Sequence, residues 1–244
     1  MSPLDASRSP SERSATISES CQLTPAIRRL RLRLDEPLPF RAGQYLCLRI
    51  GRDWEGYFSI ASSESDPATL DVLVGAQAAP ALLGATVDDR VTLVGPLGEL
   101  GLDPDGSGHL FLATGAGIAP IWSMLDALKR SPRVVPAVLL YGHRTPEEVP
   151  YREELLRLGK EESWFRFVEA HSRVVGGASG GRLTARLPEL LPTTPGWTAY
   201  VCGRAAMVSE VRELLRSAGV DPRRIRTDLP DDPPRDATPS GRPT

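Results

Sequence analysis

The pattern of apolar residues changes once along this chain, and that change restricts the folds open to it. Before residue 98 the apolar residues fall in short alternating or β-rich runs at 15–21, 27–34, 45–50, 57–61, 70–74 and 91–94. Pro, Gly and Asp separate these runs, so the first half reads as a small antiparallel sandwich or barrel. The segment GELGLDPDGSGH at 98–109 is dense in Gly, Asp and Pro and marks a boundary. Beyond it, strands expected at 110–113, 137–141, 165–170 and 199–202 alternate with helices expected at 118–129, 151–158, 183–190 and 205–218. In the last of these, Val208, Val211, Leu214, Leu215 and Ala218 share one face and Gly219 follows as a cap. A βαβ succession of this kind builds a mostly parallel sheet, whose ligands bind beyond the carboxyl ends of the strands where strand order reverses. The loops at 114–120, 142–146, 171–173 and 202–206 are expected on that edge.

With 244 residues the chain has room for two modest cores. Residues 1–13 and 230–244 are rich in Pro, with few large apolar side chains, and are expected to be disordered tails. The two domains expected are therefore 14–104 and 105–229. A composition of 41% hydrophobic and 25% charged residues with net charge -2 gives no reason to invoke nucleic acid or an anionic membrane, so small molecules or proteins are the expected partners. The three cysteines, Cys21, Cys47 and Cys202, are too widely spaced for a disulfide scaffold or a four-ligand zinc or iron–sulfur site. His109, His143 and His171 are scattered, and no metal site is expected from them. Trp54, Trp122, Trp164 and Trp197 read as packing residues, Trp54 being close enough to the 56–63 stretch to neighbour a ligand there. No segment approaches the roughly 18 apolar residues of a membrane span, and no signal-peptide core is present, so a reduced cytoplasmic chain is the expectation.

Three stretches carry candidate chemistry. LFLATGAGIAPIWSML at 110–125 puts Gly115 and Gly117 between a strand and a helix, where backbone N–H groups and the positive end of the helix dipole can meet a pyrophosphate. A ligand-free tight βα turn has the same signature, and Pro120 fits either as a first-turn residue. YVCGRAAMVSEV at 200–211 sets Cys202 at a strand end, as a reactive group or as a small buried filler. GYFSIASS at 56–63 alternates aromatic and hydroxyl residues, as a ligand-lining strand or as a barrel strand with one wet face.

Seven blocks in order, GQYLCLRI, YFSIASS, GPLGEL, LATGAGIAPIWSML, LLYGHRTPEEVPYREEL, HSRV and YVCGRAAMV, resemble the ferredoxin–NADP reductase superfamily, particularly its short NAD(P)H–flavin reductase branch, over about residues 14–229. The resemblance implies an N-terminal six-stranded antiparallel β-barrel that binds flavin and a Rossmann-like α/β domain that binds NAD(P)H, with hydride passing between the cofactors in the cleft. It assigns Tyr57, Phe58, Ser59 and Ile60 to the flavin ring, with Ser59 near its N5, and Gly75 to the flavin diphosphate region. Thr114, Gly115, Ala116, Gly117 and Ile118 are assigned to the pyridine nucleotide, and Cys202, Gly203 and Met207 to the nicotinamide. Ser172 and Arg173, with Arg182 nine residues on, read either as receivers of a 2′-phosphate, which favours NADPH over NADH, or as solvated loop residues. Ser59 and Cys202 are the residues implied to act at the reacting atoms.

The departures from the family pattern also count. Gly56 stands where relatives place a phosphate-binding Arg, with Arg49 or Arg52 as the available replacements. AQAAPALL follows Gly75 in place of a diphosphate-binding Ser or Thr, and no aromatic residue follows Tyr200 to cover the flavin. The cysteine spacing of a plant-type [2Fe-2S] module is absent from this chain. The expected cofactors are a flavin (FAD, with FMN or riboflavin as alternatives) and NADPH or NADH, and the expected partner is an electron-acceptor protein or free flavin. The rivals are a reductase component serving a separate ferredoxin or oxygenase, and a non-catalytic nucleotide-binding docking or regulatory subunit.

Overall fold

The structure, a computed structural model, describes residues 12–76, 79–173, 180–191 and 196–228. Nearly all of both expected tails lies outside these residues. Glu12 and Arg13 do not belong to a tail, because they open the first strand and pair with Val94 and Leu93.

Six strands, β1 (Glu12–Thr24), β2 (Ile27–Leu34), β3 (Tyr45–Ile50), β4 (Asp53–Ser59), β5 (Thr69–Gly75) and β6 (Arg90–Leu97), form one antiparallel sheet in the order β4-β3-β6-β1-β2-β5. The period-2 reading of IRRLRLRL holds in β2: Leu30, Leu32 and Leu34 are buried, while arginines alternate outward. One of these, Arg31, is clamped by both oxygens of Asp71 at 2.8 and 2.9 Å. The sheet curls until its two edges meet, through a bridge from Ile60 to Val72 and the Ala61 N–H donating to the Asp71 carbonyl at 2.7 Å. Leu46, Leu48, Ile60, Leu70, Val72 and Leu93 fill the interior, and the short helix α1 (Pro80–Gly84) adds Leu82.

The second sheet is parallel: β7 (His109–Thr114), β8 (Ala137–His143), β9 (Phe165–His171), β10 (Thr198–Cys202) and β11 (Ile225–Thr227) lie in the order β11-β10-β7-β8-β9. Helices α2 (Ile118–Lys129) and α3 (Arg152–Glu161) pack on one face, against Phe111, Leu139, Tyr141 and Phe165. Helices α4 (Leu183–Leu190) and α5 (Ala205–Ser217) cover the other, against Leu112, Leu140 and Val201. The alternation of strand side chains between two covered faces explains why these strands read as continuous apolar runs. Helix α5 ends as its sequence foretells, with Gly219 at φ +82° and Val220 donating to the Leu215 carbonyl at 3.0 Å.

From β7 the chain moves outward through β8 and β9, then returns to β10 on the other side of β7. The carboxyl ends of β7 and β10 are therefore the switch point of the sheet. The barrel abuts the same layer: Ile27, Ala42, Ala61 and Leu73 share one core cluster with Ile118, Met124 and Cys202. Buried Ser123 of α2 donates to the Ser62 carbonyl at 2.7 Å across this seam. Among the described residues no helix is long and apolar enough to cross a membrane.

Candidate active site at the switch point

Two glycine-containing turns interlock where β7 and β10 end. After Thr114, Gly115–Gly117 make a single tight turn and α2 begins at once. A Cβ on Gly117 would sit 2.4 Å from the carbonyl carbon and oxygen of Cys202, and one on Gly203 would sit 2.6 Å from the Thr114 hydroxyl and 3.1 Å from the Met207 methyl. Real Cβ contacts do not come that close, so both positions need glycine, and Gly203, at φ +137°, also holds a backbone conformation that favours it. Gly115 differs. At φ +57° its Cβ position faces open space, with no atom within 4 Å.

The turn is held from below by the buried Tyr141 side chain, whose hydroxyl donates to the Gly115 carbonyl at 3.0 Å. Sequence reasoning passed over this residue, although a tyrosine at the end of a buried strand needs a partner for its polar tip. Thr114 Oγ1, in contrast, is buried without a hydrogen-bond partner. The N-terminus of α2 has no side-chain cap; its first N–H, that of Ile118, bonds back to the Gly115 and Ala116 carbonyls. A buried orphan hydroxyl and an open glycine at the start of a helix together fit a pyrophosphate-bearing nucleotide.

Cys202 lies at this point, but not as an activated thiol. It is fully buried, and burial pushes its pKa well above the ordinary thiol value, with the neighbouring Asp228 charge acting in the same direction. The thiol is a neutral group packed in the apolar cluster with Ile118 and Ala113. Met207 stands in the first turn of α5, half-buried against Gly203.

The flavin motif divides along β4. Tyr57 is 45% exposed, the largest exposure among the described aromatic side chains, and it is braced edge-on by Tyr45 at 5.6 Å. Ser59, two residues on, is half-buried on the same face. Phe58 and Ile60 point the other way, and their side chains fill the barrel core. Gly56, at φ +122°, has open space where a side chain would stand. Ala61 carries the strand into the cluster that holds Ile118 and Cys202, which joins the barrel motif to the switch point. The exposed Tyr57 ring, the Ser59 hydroxyl and the open ground at Gly56 fit a flat ring with a polar edge.

Of the two arginines offered in place of one at Gly56, Arg49 is engaged by Glu12 at 2.7 Å and lies over Trp54 at 5.0 Å, whereas Arg52 is exposed on the turn between β3 and β4. Gly75 ends β5 opposite Ile27, with no atom near its Cβ position. Part of the AQAAPALL segment, residues 77–78, lies outside the described residues. Ser172 and Arg173 are exposed at the carboxyl end of β9, and a bridge from His171 to Gly180 brings the exposed Arg182, at the start of α4, to the same edge. A separate cleft of about 590 Å³ lies between the barrel and the solvent side of α2 and α3, lined by Arg31, Asp71, Trp122, Asp126 and Arg157. None of the switch-point residues lines it.

Residues 111–213 match the family model of the oxidoreductase NAD-binding domain. The chain is 32% identical over 225 residues to the reductase subunit of an aromatic O-demethylase from Amycolatopsis, an alignment covering 86% of this chain and 67% of that protein. It is 32% identical over 212 residues to ferredoxin–NADP reductase B of Sorangium cellulosum, covering 80% and 87%, and 35% identical over 208 residues to the propane 2-monooxygenase reductase component of Mycolicibacterium smegmatis, covering 76% and 58%. The chain thus spans less than two thirds of the last of these relatives. Among solved structures, the Amycolatopsis cytochrome P450 reductase GcoB superposes with a TM-score of 0.81 at 30% identity, covering 93% of this chain and 73% of that one. The chain belongs to the ferredoxin–NADP reductase superfamily, a class of NAD(P)H-dependent flavin oxidoreductases.

Proposed function

We propose that this chain is the flavin- and NAD(P)H-binding reductase of an electron-transfer system, taking hydride from a reduced nicotinamide and delivering electrons to a separate protein. The observation that carries this reading is the interlocked pair of turns at the switch point, which leaves Thr114 Oγ1 without a protein partner and the Cβ side of Gly115 open at the start of α2, directly beside the barrel seam. When bound, a flavin supplies the step from two-electron hydride chemistry to electron delivery.

The chain's own residues bind, orient and exclude water. Tyr57 offers a ring face, Ser59 a hydroxyl at the ring edge, and Gly56 a close backbone approach. Thr114, Gly115 and the α2 N-terminus hold the nucleotide diphosphate, and Gly117 and Gly203 let the two turns close without a gap. Buried Cys202 forms an apolar floor that keeps water out. Arg173 and Arg182 are the side chains for a 2′-phosphate. Alanine at both is expected to lower kcat/KM for NADPH by about tenfold or more, since hydrogen bonds to charged groups are worth roughly 1.5–3 kcal/mol. The same change should leave NADH nearly unaffected, and equal losses with both nucleotides would discard NADPH preference.

A protein acceptor is favoured over free flavin because the relatives described above include reductase components of monooxygenase and demethylase systems. The deciding experiment is the colour and activity of the purified chain. Flavin absorbance that persists through gel filtration, with NAD(P)H oxidation coupled to a ferredoxin or dye, supports the reading. A colourless protein that oxidises NAD(P)H only with added flavin would instead make flavin a substrate. No oxidation with any flavin or dye acceptor would leave the non-catalytic docking subunit.

A further inference from the structure

Two of the three histidines that look scattered in the sequence meet at the carboxyl edge of β8 and β9. The register of these parallel strands pairs His143 with His171, and their rings lie 4.1 Å apart at 64°. Glu169, two residues earlier on β9, places Oε1 3.4 Å from His143 Nε2. One ligand atom from each of His143, Glu169 and His171 lies within 4.8 Å of the others.

The protonation pattern at His143 makes this a site and not a contact. Its side chain is 1% exposed, and Nδ1 lies 2.8 Å from the Thr145 carbonyl, which can only accept. Nδ1 therefore carries the proton and Nε2 a bare lone pair. The lone pair faces a carboxylate oxygen and has no hydrogen-bond partner, so two electron-rich atoms meet in a buried place with nothing positive between them. Arg152 donates to both oxygens of Glu169 at 2.9 and 3.0 Å. A carboxylate has about four lone-pair sites, so capacity remains on the His143 side. The Arg152 charge is itself countered by Glu147 and Glu153.

We propose that His143, Glu169 and His171 form a binding site for a zinc-like divalent cation, apart from the hydride-transfer site. Ligand bonds of about 2.0–2.2 Å in tetrahedral geometry put ligand atoms roughly 3.3 Å apart, close to the His143–Glu169 spacing. Rotation of the half-buried His171 ring closes the third side. Two imidazoles and one carboxylate suit zinc, copper or nickel and not magnesium or calcium. The supporting shell is also in place: the Thr145 carbonyl fixes the His143 tautomer, Arg152 orients Glu169, and Ser172 N and Gly181 N bind the carbonyls of His143 and His171 at 2.9 and 3.0 Å.

The test is calorimetric titration of the chelator-treated full chain with Zn²⁺, in a Cys21→Ser background and in the same background with His171→Asn. The expected result is uptake of one equivalent by the parent and binding weaker in H171N by more than the roughly 10- to 100-fold that loss of an outer-shell partner costs. Co²⁺ should give the intense visible bands of a tetrahedral site in the parent alone, and Zn²⁺ should raise the melting temperature of the parent but not of H171N. Circular dichroism of metal-free H171N checks that it is folded, and His143→Gln serves as the second variant if it is not. Absence of saturable uptake, uptake unchanged by both histidine variants, or equal competition by Mg²⁺ would overturn the proposal.

Discussion

The two ends of the parallel sheet are built on opposite principles. At the amino end the buried polar groups satisfy one another: Thr198 Oγ1 donates to Asp103 at 2.7 Å, the Asp103 N–H donates to the Tyr200 hydroxyl at 2.8 Å, and that hydroxyl lies 3.3 Å from His109 Nδ1. At the carboxyl end of the same strands, Thr114 Oγ1 and His143 Nε2 are buried without hydrogen-bond partners. An unpaired buried polar group costs about 1–3 kcal/mol, so each one calls for a physical reason. One end of the sheet is finished by the chain itself, and the other is left open, as the proposed nucleotide and cation sites require.

The largest effect expected from breaking this contrast is at Gly117. Gly117→Ala forces a methyl group against the Cys202 carbonyl, and a displacement of about 1 Å in a reactive geometry can lower turnover on the order of 100-fold. Rapid-mixing measurement of flavin reduction by NAD(P)H checks this, and a rate within a factor of a few of the parent would disconnect the turn from hydride transfer.

The next expectation opposes the two ends directly. Thr198→Val leaves Asp103 short of a partner and should destabilise the free protein by about 1–2 kcal/mol, whereas Thr114→Val removes an orphan and should cost nothing or stabilise slightly. Urea denaturation of both variants, with nucleotide affinity measured beside it, decides the matter: T114V should weaken nucleotide binding and T198V should not.

At the barrel, Tyr57→Ala is expected to weaken flavin binding by up to about tenfold, the scale of one aromatic stacking contact of roughly 0.5–1.5 kcal/mol. Fluorescence quenching of titrated FAD or FMN measures it. The same substitution should leave thermal stability close to the parent, since the ring is exposed.

The smallest effect concerns pH. Burial lowers the His109 pKa from 6.5 to about 4. The unfolded chain therefore takes up this proton first as pH falls, and stability declines between about 6.5 and about 4, with no contribution above that window. His109→Asn, which can still accept from Tyr200, should flatten that decline, by about 2–4 °C in melting temperature for each kcal/mol of linked stability. Parallel melting curves for H109N and the parent at the two limits would remove His109 from the acid sensitivity of the amino end.

Much of the scaffold was legible in the sequence because pattern length and burial agree. Helices α2 and α4 and strands β2 and β3 run over the residues expected of them. The three-residue β11 and five-residue α1 are too short for any periodicity, and the polar start of β1 resembled a tail. At the site, the glycine turns announced themselves through local chemistry. Strand alternation turns the Phe58 and Ile60 side chains into the barrel core, away from the face of Tyr57 and Ser59, which adjacency in a motif does not reveal. Tyr141 and the His143–Glu169–His171 group were invisible for another reason: their partners come from different strands, and only the register of the sheet brings them together.

The apolar cluster that Ala61 and Leu73 share with Ile118 and Cys202 has a consequence for how this chain is made and inherited. Neither half can be released as an independent module without baring that seam to water. Synthesis must therefore carry the barrel as an incomplete body until the following layer docks on it, and recombination that spliced a foreign barrel onto this nucleotide-binding half would have to rebuild both sides of the seam at once.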